Sequence, residues 1–126
     1  MVYKIVNDLQ EFYGILMNKD NKDKLIIAYF TASWCGPCKK ISPIAQNIGE
    51  NNDFIIVIKV DVDEGEEISE QYNIDCMPTF KFFKNCDIED CLSFSGAEQN
   101  ILINNIKNTL DEMNNENENN NNNFIE

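Results

Sequence analysis

The chain has no histidine and no arginine. Without histidine there is no Ser-His-Asp or Cys-His catalysis, no imidazole metal ligand and no histidine pH switch. Without arginine, cationic character rests on ten lysines against 22 acidic residues, for a net charge of −12. That balance argues against nucleic acid and against anionic membranes as partners. Long apolar runs are also missing. No stretch approaches the roughly 18 apolar residues of a membrane span, and the opening MVYKIVNDLQEF lacks the apolar segment of a signal peptide. The expectation is a cytoplasmic, monomeric protein with no membrane contact. Proline is scarce at three residues, tryptophan occurs once, and no internal repeat is present.

What is present is 126 residues, 43% of them hydrophobic, enough for one domain with one sizeable core. Leu9, Phe12, Tyr13 and Leu16 recur at helical spacing, with Asn7 as the expected N-cap and Gln10 three residues on. Leu25 to Phe30 and Phe54 to Val60 are continuous apolar runs, as expected for strands buried on both faces. Between them Cys38, Ile41, Ala45 and Ile48 share one helical face, so a right-handed βαβ crossover is predicted. Pro43 falls inside that helix and is expected to kink it.

A short acidic helix is predicted over Glu64 to Tyr72, and a hairpin from Thr79 to Phe83 and Cys91 to Phe94. Ser95 and Glu98 match a capping box for a last helix bearing Leu102, Ile106, Leu110 and Met113. The predicted order is β-α-β-α-β-α-β-β-α. Residues 1–112 form the domain. Residues 113–126 read as a disordered Asn-rich tail, with Phe124-Ile125-Glu126 a candidate docking tag.

Five cysteines is an odd number, and without a signal peptide a disulfide framework is not expected. Cys35-Gly36-Pro37-Cys38 therefore points to redox chemistry or to metal. At a helix N-terminus, unpaired N–H groups and the helix dipole favour a Cys35 thiolate, the reactive form. Cys38, one turn further in, is placed to resolve a mixed disulfide. Pro37 is preset for a first helical turn, and Gly36 lets a substrate backbone approach. Zinc needs four ligands. One C-x-x-C supplies two, and the looser pair Cys86 and Cys91 would have to supply the others. Two passive thiols are the third alternative.

Trp34-Cys35-Gly36-Pro37-Cys38-Lys39 resembles the active site of the thioredoxin family. Val60-Asp61-Val62-Asp63, Met77-Pro78-Thr79-Phe80 and Phe94-Ser95-Gly96-Ala97 follow in that family's order, so the resemblance spans about residues 1–112. It implies an α/β thioredoxin fold, a central mixed five-stranded sheet flanked by four helices. It implies a protein-disulfide reductase with Cys35 as nucleophile and Cys38 as resolving thiol. Pro78 matches the family's cis-proline. Trp34, Gly36, Pro37, Met77, Pro78 and Gly96 match the substrate-docking rim. No cofactor or metal is implied on the domain. Electrons are expected from an NADPH-dependent thioredoxin reductase, and oxidised proteins such as peroxiredoxins are the implied substrates. A peptide-binding scaffold with weak redox activity is the rival reading, and an oxidase or isomerase of a secretory compartment a further one.

Two departures stand out. Thioredoxins carry a buried aspartate in the second strand where this chain has Tyr29, within Ile27-Ala28-Tyr29-Phe30. Tyrosine is a far weaker base, with a reference pKa near 10 against about 4. Tyr29 with Lys59 is the candidate proton relay, and resolution by Cys38 is expected to be slowed. The connection KNCDIEDCLS is longer than the family's turn and lacks its glycine. Cys86 and Cys91 either pair across it or stay as separate thiols, and Cys76 is expected to be exposed near the site.

Overall fold

In a computed structural model the backbone of residues 2–125 and the side chains of residues 2–117 are described. The elements run β1 (Val2–Ile5), α1 (Leu9–Met17), β2 (Leu25–Thr31), α2 (Gly36–Asn51), β3 (Ile55–Asp61), α3 (Glu66–Gln71), β4 (Thr79–Phe83), β5 (Leu92–Ser95) and α4 (Gln99–Ile125), with a 3-10 turn at Lys19–Asn21. This is the expected order, an α/β fold with five strands and four helices.

The sheet order is β1-β3-β2-β4-β5. β1, β3 and β2 are mutually parallel, while β4 and β5 run antiparallel to their neighbours. Every residue of β2 is buried, because a central strand with helices on both sides has no solvent face. Ile26, Ala28 and Phe30 of β2, with Ile56 and Ile58 of β3, pack against Phe12 and Leu16 of α1 and Ile68 of α3. Leu25, Ile27 and Tyr29, with Ile55 and Val57, pack against Ile41 and Ala45 of α2 and Leu102, Ile106 and Met113 of α4. The alternation along β2 thus sorts the core into two layers. Tyr29 falls in the layer beneath α2.

Several local expectations are corrected. Asp8, not Asn7, caps α1: its Oδ2 accepts from the Glu11 amide at 2.9 Å. Asn7 instead donates its amide to Glu64 Oε2 at 3.3 Å. The capping box at Ser95 does not form. Ser95 ends β5, with its Oγ 3.0 Å from Thr79 Oγ1, and α4 begins only at Gln99. As expected, Pro43 lies inside α2. α4 reaches well past residue 112: Met113 is 6% exposed in the core, and Lys84 Nζ meets Glu116 Oε1 at 2.7 Å. The side chains of 118–126, including Phe124-Ile125-Glu126, lie outside the described residues.

The long β4–β5 connection finds its turn without glycine, placing Asn85 (φ 58°) and Cys86 (φ 60°) in the left-handed region. It is tied down by the Tyr72 hydroxyl, which donates to Ile88 O at 2.7 Å.

Candidate active site

β2 delivers the chain to the site. After Thr31 it turns, with the Cys35 amide donating to Ala32 O at 3.1 Å, and α2 begins at Gly36. Cys35 is the N-cap, and its Sγ accepts from the Cys38 amide at 3.2 Å. The sulfur thereby occupies the place that a serine or aspartate oxygen takes at other helix starts. Cys35 and Cys38 are joined as a disulfide, with Cα atoms 5.4 Å apart. The pair is nearly enclosed, at 5% and 2% exposure, and packs with Ala32, Val62 and Met77.

The peptide bond from Met77 to Pro78 is cis. Pro78 itself is buried, while Met77 is half-buried and Trp34, Gly36, Pro37 and Gly96 are exposed. A Cβ on Gly36 would meet nothing within 4 Å, so the backbone there is open to an approaching chain. Gly96, at φ 110°, needs glycine's freedom, and its amide donates to Pro78 O at 2.9 Å. That bond ties the end of β5 to the cis-proline segment.

Trp34 is 65% exposed, yet its indole is held: Nε1–H donates to Asp63 Oδ2 at 2.9 Å. Asp61, the last residue of β3, shapes the turn that presents Asp63. Its Oδ1 accepts from the Asp63 amide at 2.8 Å and the Glu64 amide at 3.2 Å. In the sequence Asp63 stands out only as part of the run Val60-Asp61-Val62-Asp63, with no role of its own. The available signal was an aspartate two residues past a strand end that itself carries an aspartate, a pattern of Asx turns.

Tyr29 lies beneath the pair and is fully buried. Its hydroxyl is 3.1 Å from Cys38 O and 3.2 Å from Thr31 Oγ1, one proton shared between two acceptors. Lys59 sits opposite Tyr29 in the β2–β3 register, but among the described residues its side chain makes no hydrogen bond or ion pair. The hydroxyl is turned toward α2, where Cys38 O accepts from it.

Cys76, Cys86 and Cys91 are free. Cys76 is exposed and contacts Ser95 Oγ at 3.1 Å and Thr79 Oγ1 at 3.8 Å. Cys86 donates to Asn18 O at 3.6 Å, so it is occupied away from Cys91. Burial pushes the Cys91 thiol above its ordinary pKa. Among the described residues no three side chains of Cys, Asp or Glu gather as metal ligands, and no helix is long and apolar enough to cross a membrane.

Two cysteines three positions apart, closed into a ring on a helix start, form a pair that exchanges with other disulfides by thiolate attack. The protein is a thiol-disulfide oxidoreductase. The Thioredoxin family model matches residues 4–108. Thioredoxin of Ictalurus punctatus is 41% identical over 99 residues, which are 77% of this chain and 89% of that one. A solved poplar thioredoxin h superposes with a TM-score of 0.78 at 28% identity, covering 88% of this chain and 98% of that one. A chain from a structure on thiol resolution in yeast mitochondrial 1-Cys peroxiredoxin via glutathione/thioredoxin systems superposes at 0.72 with 26% identity, over 85% and 94% of the two chains. This chain belongs to the thioredoxin family.

Proposed function

We propose that the protein reduces disulfides in other proteins, with Cys35 as nucleophile and Cys38 as resolving thiol. The Cys35 thiolate attacks one sulfur of a substrate disulfide. A Cys35–substrate bond forms, the substrate S–S bond breaks, and the departing sulfur takes a proton. Cys38 then loses its proton, attacks Cys35 Sγ and expels the second substrate sulfur. Two electrons pass to the substrate, and the Cys35–Cys38 disulfide remains.

One observation carries this reading: Cys35 Sγ accepts from the Cys38 amide at the N-cap of a 16-residue helix. That amide and the helix dipole favour negative charge on this sulfur over any other in the chain. Trp34, Gly36, Pro37, Met77 and Gly96, with the Pro78 backbone, are the docking rim for an extended substrate segment.

Electrons come from an NADPH-dependent thioredoxin reductase, and peroxiredoxin-type proteins are among the substrates. The family membership and the likeness to the chain from the yeast peroxiredoxin study support both. The working form is a cytoplasmic monomer that binds no cofactor of its own.

The test is insulin disulfide reduction driven by dithiothreitol. Wild type should act well above the dithiothreitol background and Cys35→Ser should not, while Cys38→Ser should accumulate the mixed disulfide. A wild type at background would replace the reductase with a peptide-binding scaffold.

A further inference from the structure

Beneath the cysteine pair the molecule holds a phenol and no acid. Tyr29 is clamped there, with its ring stacked on Phe80 at 5.3 Å and 18°. Among the described residues the buried polar side chains are Thr31, Ser69, Thr79 and Thr109, so no aspartate or glutamate is buried. α4 contributes Leu102, Ile106 and Met113 to this layer. Of the charged groups on neighbouring elements, Lys59 of β3 and Asp61 are half-buried, and Lys39, Lys40 and Asp63 are exposed. The Asp61 carboxylate is engaged by the amides of Asp63 and Glu64.

The acceptor that Tyr29 reaches is a backbone carbonyl. Cys38 is the third residue of α2, and Pro43, lacking an N–H, leaves the next carbonyl, that of Lys39, without its helical donor. The first turn is thus weakened just past the cysteine whose sulfur must close onto Cys35. A carbonyl has a second lone pair, so the Cys38 oxygen can take the phenol proton beside its helical bond from Ser42.

We propose that Tyr29 is a positioning residue for the resolving step: its hydroxyl holds the Cys38 carbonyl, and with it the first turn of α2, in the arrangement from which Cys38 attacks Cys35 Sγ. The Tyr29 hydroxyl acts only as a hydrogen-bond donor. The Cys38 proton goes to water, the Cys35–Cys38 bond forms as the Cys35–substrate bond breaks, and the leaving sulfur is protonated by water. Thr31 is the alternative acceptor for the same phenol proton.

This inference rests on the reductase reading, and the experiment separates the two. Reduced protein is mixed with a peptide bridged by one disulfide, quenched in acid at intervals between pH 6 and 9, and weighed by mass spectrometry. Loss of oxidised peptide reports attack by Cys35, and decay of the mixed disulfide reports release by Cys38. Tyr29→Phe keeps the ring and removes the hydroxyl. It should slow release about fivefold, the effect of one ordinary hydrogen bond. Attack and the pH midpoint of release should stay unchanged, and the Ser42 amide should exchange faster. An unchanged release rate or unchanged Ser42 exchange overturns the proposal in favour of core filler. A raised pH midpoint overturns it in favour of a proton relay. Wild type alone offers a second check, because its release profile must show a single titration, that of the thiol. A second titration there refutes the proposal. Tyr29→Asp should introduce that second titration. If wild type shows no attack at all, the reductase reading is what fails, and Ser42 exchange still decides whether the phenol braces α2.

Discussion

Ending the chain after residue 112, where composition places the edge of the domain, removes two contributions from α4. Met113 is 6% exposed and packs in the core layer with Leu25, Ile55 and Ile106. Full burial of a methionine side chain is worth about 1.5–3 kcal/mol. Glu116 pairs with Lys84, their side chains 49% and 18% exposed, and so partly screened an ion pair adds at most about 1 kcal/mol. Loss of both should cost about 2–3 kcal/mol, or about 10 °C in Tm for a domain of this size. A chain of residues 1–117 keeps both contacts and should recover the loss that these two contacts account for. Thermal melts of the three lengths by circular dichroism, at one pH and ionic strength, make the comparison. Insulin reduction by the 1–112 chain at 25 °C should match wild type, because Met113 packs near the N-terminal ends of β2 and β3 while the cysteines follow the C-terminal end of β2. The reasoning fails if 1–112 melts within about 2 °C of the full chain, a difference below the size of one buried methionine.

Asp63→Asn keeps an acceptor for the Trp34 indole but removes its charge, and Asp63→Ala removes the bond. The alanine variant should raise KM for a protein substrate about two- to fivefold with kcat and Tm nearly unchanged, since an exposed tether is worth no more than about 1 kcal/mol. The sole tryptophan makes its own reporter, and its fluorescence anisotropy should fall in Asp63→Ala. A fall in kcat with KM unchanged would refute a docking role. Gly49 and Gly14 form a matched pair in helices α2 and α1. A Cβ on Gly49 would lie 2.7 Å from Val2 O and 3.0 Å from Val57 Cβ, whereas one on Gly14 would meet nothing within 4 Å. Gly49→Ala should therefore cost about 1–2 kcal/mol despite alanine's helix preference, and Gly14→Ala should gain up to about 1 kcal/mol. Urea midpoints of the two variants moving in the same direction would contradict this.

The features legible in the sequence are those whose cause is local. β2 and β3 announce themselves because a central strand must be apolar on both faces. Cys35 and Cys38 announce themselves because a helix start, a first-turn proline and an i,i+3 pair occupy consecutive positions. The features that escaped depend on a partner elsewhere in the chain. Asn7 and Asp8 are equally good caps; Asp8 Oδ2 takes the Glu11 amide, while the Asn7 side chain is directed to Glu64, distant in sequence, through its Nδ2. Ser95 and Glu98 match the spacing of a capping box, but Thr79 claims Ser95 across the β4–β5 ladder, and a residue in a strand ladder cannot also cap a helix. Met113 gives two opposed signals: its spacing from Leu102, Ile106 and Leu110 puts it on the apolar side of the last helix, while the asparagine-rich run it begins suggests a solvated tail. The spacing marks the core, and the composition sets the domain edge one residue short.

The same distinction explains why the site is only half visible from its motif. The dithiol is a local object, but what surrounds it comes from Tyr29 in β2, Asp63 after β3, Met77 before β4 and Gly96 after β5. A tyrosine in place of an acid reads, in sequence, as the loss of a base, and the natural inference is a weaker relay. In the fold the hydroxyl has gained two oxygen partners, one on the helix that carries the resolving thiol. A carboxylate at that depth would need a cation or several donors to stay ionised, and Lys59 is only half-buried, its side chain unengaged among the described residues. A phenol needs neither. It is satisfied by acceptors, and a helix start beside a strand end supplies them. The substitution thus exchanges a group that titrates for one that holds, which is why step-resolved rates distinguish the two where overall turnover would not.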